Sequence, residues 1–207
     1  MLQSAAVYPA TLGLLKQVMA LPDLQQFNLV GGTALALRIG HRISIDLDLF
    51  SNQDFDSTTV ISALTKLGEP DVLVNKPPFL QIRLQDVKLD FLKYPYPFVQ
   101  NYQEIDGVRL VSIENIGTMK LSAVARRGAK KDFFDLYFLL ERYSLAQLLA
   151  QFEETLPHVD TFHIVKSLTY FEDADKEINP DMLIKVSWEQ VKKAITKEVE
   201  AYLKQNF

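Results

Sequence analysis

Residues 28–51, NLVGGTALALRIGHRISIDLDLFS, decide how the whole chain is read. A short apolar run closes on two adjacent glycines, Gly31 and Gly32. The following TALALRI is long enough for about two helical turns, with Thr33 near its start and Gly40 placed like a helix-ending glycine. The segment ISIDLDLF then alternates, with Ile43, Ile45, Leu47 and Leu49 on one side and Ser44, Asp46, Asp48 and Phe50 on the other, which is a strand pattern. Strand residues two apart share a face and lie about 7 Å apart, so Asp46 and Asp48 project together and Ser44 precedes them on that face. Hard divalent cations prefer oxygen ligands and are often held by one or two carboxylates plus substrate phosphates. A glycine turn running into a helix offers backbone N–H groups to phosphate oxygens, at the end of the helix that favours negative charge. A bare Gly-Gly is usually a turn and a bare D-x-D is usually a solvated strand face. Their order along the chain, phosphate turn and then carboxylate strand, is what points to a nucleotide site.

Outward from this stretch, residues 9–21 carry a helical stripe ending before Pro22, and residues 57–68 also read as helix. FLQIRL (79–84) and VKLDFLK (87–93) read as strands joined through QD as a hairpin, with YPYP (94–97) ending the second. Asp90, in the second of these strands, is the candidate third carboxylate for a two-metal arrangement. Beyond residue 110 the pattern is helical, over 112–127, 131–142, 144–153, 158–170 and 187–205, with EDADKEINPD as a charged connection. No solenoid-type repeat is present. Short strands thus fall before residue 110 and helices dominate after it.

Composition narrows the function classes. The 207 residues are 48% hydrophobic and 23% charged, which is the balance of a compact globule rather than a disordered chain. A net charge of −4 and a pI near 5.4 argue against a protein that coats nucleic acid through Lys and Arg. The one dense basic stretch is KLSAVARRGAKK (120–131), with no acid in it. The absence of cysteine removes thiolate catalysis, disulfides and cysteine-ligated zinc, and suits a cytoplasmic protein. Neither a signal peptide nor a membrane span is expected.

A second set of candidates lies downstream. Lys120 falls within the apolar stripe formed by Ile113, Ile116, Ala123 and Val124, where it either snorkels at a core edge or reaches a phosphate or carboxylate. In KKDFFDLYFLLE (130–141), Asp132 and Asp135 share a helical face. Asp132 can serve as a first-turn acid, whereas Asp135, deep in an apolar segment, needs a partner such as Lys131, Lys120 or Arg127. Arg42 stands just before the acidic strand, available to a phosphate or to a loop. His41, His158 and His163 have no zinc-ligand spacing. There is no Walker loop, no dinucleotide fingerprint and no serine paired with a histidine.

With LVGGTALALRIGHRISIDLDLF, LDFLKYPYP and MKLSAVARRGAKKDFFDLYFLLE in this order, the chain resembles the AbiEii/AbiGii toxin family of nucleotidyltransferases, within the polymerase-β-like superfamily. The resemblance spans roughly residues 24–143 and implies a nucleotidyltransferase fold of the α+β class, a mixed β-sheet flanked by helices over residues 1–110 with a helical C-terminal part over 111–207 that can count with it as a single domain. It matches Gly31, Gly32 and Thr33 to the phosphate-cradling turn, and Ser44, Asp46 and Asp48 to an S-x-D-x-D metal motif. Asp90 corresponds to the third strand carboxylate, as metal ligand or proton acceptor, and Lys120 to the helix lysine that meets nucleotide phosphates. Asp132 and Asp135 match a later K-D-x-x-D block, either acid being the one that acts. The turn reads Gly-Gly-Thr where the wider superfamily has Gly-Ser, with Thr33 able to supply the hydroxyl. The activity implied is Mg²⁺- or Mn²⁺-dependent transfer of NMP from an NTP to an acceptor hydroxyl on RNA, such as tRNA, or on protein. The partner implied is a cognate antitoxin. Two other classes remain: a catalytically silent nucleotide-binding module, and a D-x-D phosphatase with Asp46 as nucleophile, which would leave Gly31 and Gly32 without a role.

Overall fold

The computed structural model describes residues 1–98 and 102–206. The chain divides into two compact units, Met1–Ser112 and Ile113–Phe207.

The first unit is built on strands β1 (Asn28–Val30), β2 (Leu47–Ser51), β3 (Asp71–Lys76), β4 (Phe79–Leu84), β5 (Val87–Lys93), β6 (Gln103–Ile105) and β7 (Val108–Leu110), with helices α1 (Pro9–Ala20), α2 (Gly31–Ile39) and α3 (Ser57–Leu64). The sheet order is β3-β4-β5-β2-β1-β7-β6, and it is mixed: β2 runs parallel to β5 and β1 to β7, while the other neighbours are antiparallel. The expected 79–93 hairpin is there. Its turn residues Gln85 and Asp86 both take positive φ, as the tight two-residue turn between twisted strands demands. Asp106 and Gly107 do the same for the β6–β7 hairpin.

Alternation along the strands sorts the two faces. Leu29, Leu47, Leu49, Leu80, Ile82, Leu89 and Phe91 are buried on one side; α2 packs on β1 and β2, and α1 on β7. Arg109 fastens the end of α1, its guanidinium donating to the carbonyls of Met19 (2.8 Å), Leu24 (3.1 Å) and Phe27 (3.2 Å). The chain start is tied in at long range: Leu2 N–H donates to Asp106 Oδ2 at 2.8 Å, and Gln3 N–H to the Leu37 carbonyl at 2.7 Å.

Two sequence readings need correction. The acidic strand begins at Leu47, not Ile43, and Ile45 is 55% exposed instead of facing the core. The reason lies in the backbone bonding: Ser44 N–H donates to the Ala6 carbonyl at 2.9 Å, and the Asp46 carbonyl is taken by the Thr33 hydroxyl. These groups are satisfied outside the ladder, so the segment enters the sheet only at Leu47. The glycines, for their part, form the first turn of α2 itself and not a separate turn before it.

The second unit is helical: α4 (Ile113–Arg127), α5 (Lys130–Leu140), α6 (Leu145–Thr155), α7 (Thr161–Ser167), α8 (Glu172–Asp175) and α9 (Trp188–Asn206). Helix α6 starts with a reciprocal Ser144/Gln147 capping box, and Asp160 caps α7. Trp188 opens α9 against the rings of Phe133, Phe134 and Phe171. Val191, Ile195 and Val199 continue the buried stripe at four-residue spacing. Among the described residues no helix is long and apolar enough to cross a membrane.

Candidate functional site

In the first unit, β1 runs directly into α2 through a change of backbone sense: Val30 is extended and Gly31 has φ +69°. A Cβ placed on Gly31 would collide with the Asp48 carboxylate. Only glycine both tolerates this φ and leaves room for that oxygen, so the first turn of α2 lies against a carboxylate of the neighbouring strand. Thr33, two residues on, is buried, and its hydroxyl meets Ser44 Oγ at 2.8 Å as well as the Asp46 carbonyl. With a single proton, the hydroxyl donates to the carbonyl and accepts from Ser44. Thr33 and Ser44 thus hold the D-x-D segment onto α2.

Asp48 and Asp90 are register partners across the parallel β2–β5 pair and share the face opposite the apolar one. Asp90 Oδ1 accepts from Gln81 Nε2 at 2.9 Å. The ammonium of Lys88, two residues before Asp90 on the same face, stands 3.4 Å from Asp46 Oδ2 and 4.0 Å from Asp90 Oδ2. Sequence reading passed over Lys88 because a lone lysine in an alternating strand reads as a solvated side chain. The available signal was its period-two spacing from Asp90.

Among the described residues no three His, Cys, Asp or Glu converge closely enough to hold a metal ion. The donor set nonetheless fits a hard divalent cation, since all the candidates are carboxylate oxygens and Lys88 already brings positive charge to two of them. Arg42 is 4% exposed, and its guanidinium donates to the Ile43 carbonyl at 3.0 Å.

The second unit gathers Lys120, Asp132 and Asp135. The Lys120 ammonium is 2.8 Å from Asp132 Oδ1 and 2.5 Å from Asp135 Oδ2, with the lysine 3% exposed and both aspartates fully buried. Arg127 closes on Asp132 side-on, Nε to Oδ2 at 2.6 Å and the second nitrogen to Oδ1 at 2.9 Å. Burial on its own would raise the Asp132 carboxyl, but the charges and hydrogen bonds of Lys120 and Arg127 outweigh it and leave the pKa below the usual carboxylate value. Two cations and two anions cancel. The basic stretch seen in the sequence is therefore mostly spent: Lys120 and Lys130 are buried and the exposed Arg127 is paired with Asp132, beside the exposed Arg126 and Lys131.

The model of the family "Nucleotidyl transferase AbiEii toxin, Type IV TA system" matches residues 13–206. An uncharacterized protein of Aquifex aeolicus (strain VF5) is 36% identical over 195 residues, covering 91% of this chain and 94% of its own length. Among solved structures, a candidate nucleotidyltransferase from H. pylori superposes with a TM-score of 0.61 at 18% identity, covering 96% of each chain. MenT4, a nucleotidyltransferase toxin from Mycobacterium tuberculosis, gives 0.50 at 16% identity, covering 95% of this chain and 84% of its own. The mixed sheet flanked by helices is a nucleotidyltransferase fold. On the match of nearly the whole chain to the family model, the protein belongs to the AbiEii nucleotidyltransferase toxin family of type IV toxin–antitoxin systems.

Proposed function

We propose that the protein transfers NMP from an NTP to an acceptor hydroxyl on RNA, such as tRNA, or on protein, with Mg²⁺ or Mn²⁺, and that a cognate antitoxin restrains it. The observation that carries this reading is the contact between the Gly31 backbone and the Asp48 carboxylate, which puts a phosphate-type helix start beside a carboxylate strand. The N–H groups of Gly31, Gly32 and Thr33 cradle triphosphate oxygens. Asp46, Asp48 and Asp90 would hold the divalent cation, which when bound neutralises phosphate charge and lowers the pKa of the acceptor hydroxyl. Ser44 and Thr33 keep Asp46 in position. Asp90, oriented by Gln81, completes the ligand set or takes the hydroxyl proton. As the acceptor oxygen bonds to the α-phosphorus, the bond to the β-phosphate bridging oxygen breaks and pyrophosphate leaves. In the second unit Asp132 and Asp135 hold the buried Lys120 ammonium in a charge cluster that fastens α4 to α5. Arg42 supports the segment leading to Ser44.

The test is incubation of the purified protein with Mg²⁺, each α-phosphate-labelled NTP in turn and total cellular RNA, beside an Asp46→Ala/Asp48→Ala double variant. Label on RNA or protein with the wild type alone is the expected result and names the base. Metal-dependent NTP binding without transfer to any acceptor would favour the binding-module reading. Absence of NTP binding would sink the assignment of the glycine turn and the aspartate strand to one site.

A further inference from the structure

The polar face of β1 and β2 extends one residue pair beyond the carboxylates. Asn28 and Phe50 are directly opposed in the antiparallel ladder, next to the Val30–Asp48 pair, so they share the face of Asp48 about 7 Å further along the strands. Asn28 is 7% exposed. Its Nδ2 reaches the Gln26 carbonyl at 3.5 Å, while its Oδ1 has no hydrogen-bond partner among the described residues. A buried acceptor without a donor is costly and calls for an explanation.

Asn28 lines a groove of about 610 Å³, within the size range of small-molecule sites, whose walls also include Asn52, Gln53, Phe98 and Tyr102. None of the described lining residues carries a charge. Phe98 ends a ladder of near-parallel rings: Phe50 and Tyr94 lie 5.8 Å apart at 28°, Tyr94 and Phe98 5.5 Å apart at 11°. Asn52 Nδ2 donates to the carbonyls of Tyr94 (3.2 Å) and Tyr96 (2.6 Å), fixing the aromatic segment at the end of β2. A phosphate or a cation would find no counter-charge here. Neutral amides, stacked rings and an acceptor awaiting a donor select a flat, uncharged ligand that hydrogen-bonds at its edge.

We propose that this groove binds a nucleobase, stacked beside Phe98 and donating from an exocyclic amino group to Asn28 Oδ1. The transferase reading supplies the class of ligand; the groove itself stands on its own geometry. The base comes from the NTP or from the terminal nucleotide of an RNA acceptor, whose chemistry at this point is the same. Adenine, cytosine and guanine carry the amino donor, and uracil does not.

The probe is 2-aminopurine, which carries such a group and loses fluorescence when stacked on an aromatic ring. It is offered as the ribonucleoside triphosphate in one arm and at the 3′ end of a short RNA in the other, with Mg²⁺ and with wild-type, Asn28→Leu and Phe98→Ala proteins. Quenching in one arm names the source, and both variants weaken binding roughly tenfold. The melting temperature of Asn28→Leu does not fall, because an unmet acceptor has been removed; Phe98→Ala tests the same groove should the first variant fail to fold. Quenching in neither arm, or equal affinity across the three proteins, overturns the proposal. Label transfer by both variants at the wild-type KM would overturn the groove and leave the transferase standing. Quenching that both variants weaken, from a wild type that transfers no label, would keep the groove and sink the transferase.

Discussion

Lys88 is the counter-ion of the carboxylate face, and its replacement separates charge from chemistry. Lys88→Met leaves Asp46 and Asp90 without their shared ammonium, so Mn²⁺ binding in the absence of nucleotide tightens several-fold, read by calorimetric titration. If Lys88 instead serves the triphosphate, Mn²⁺ affinity stays put and NTP affinity falls. Gly31→Ala tests the helix start. The new methyl group meets the Asp48 carboxylate in a backbone conformation costing an L-residue about 1–2 kcal/mol, so stability drops by at least that much in urea unfolding and NTP binding is lost. At this scale the sequence was informative where alternation governs: the shared side of Asp48 and Asp90 follows from period two once the strands are paired. The pinning of Asp46 by Thr33 and Ser44 was not legible, because it depends on side chains bonding across a gap that periodicity does not encode.

Between elements, helices α4 and α5 share a buried charge cluster that stabilises only when complete. Lys120→Met takes the ammonium from two buried carboxylates, leaving Asp132 to Arg127 alone, and costs about 3–5 kcal/mol in denaturant unfolding, while Lys120→Met combined with Asp135→Leu recovers part of that loss. The depressed Asp132 carboxyl fixes the sign with pH. Its contribution is fully present above the unfolded value of 3.8 and is lost as pH falls through the lower folded value. Thermal melts taken downward from pH 4 therefore show a steeper loss of stability for the wild type than for Asp132→Asn. Long helices were legible from their apolar stripes. The β6–β7 hairpin was overlooked although Asp106-Gly107 is a strong turn signal, since strands of three residues each are too short for alternation to register. Strand β3 escaped for another reason: it is an edge strand exposed along most of its length, without a buried side to betray it.

Across the whole molecule, net charge and the consumption of basic side chains set how nucleic acid can be held. With the chain at −4 and Arg127 paired with Asp132, the exposed Arg126 and Lys131 contribute at most about two to the slope of log affinity against log salt for an RNA acceptor. Replacing both by glutamine lowers the measured slope by no more than that in filter binding at 50–200 mM salt, a range chosen from the same relation. The division into strands before residue 110 and helices after it was readable from local periodicity, whereas the α+β class and the mixed sheet came with the resemblance to a known family carried by the glycine turn, the acidic strand and the downstream lysine helix. The fate of the basic stretch was not readable, since which lysines turn inward depends on partners supplied by α5 and by Glu177, whose carbonyl takes the Lys130 ammonium.

The tie between Leu2 and Asp106 spans 104 positions, and Asp48 acquires its neighbour only when β5 pairs with β2. Contacts so distant along the chain form late, after the intervening segments exist. During translation, a nascent chain that has exposed the glycine turn and the D-x-D segment still lacks Asp90, Lys88 and the residue that anchors its own beginning. The carboxylate face therefore assembles only once β5 has followed β2 out of the ribosome, and the tie at the chain start closes later still, when Asp106 emerges.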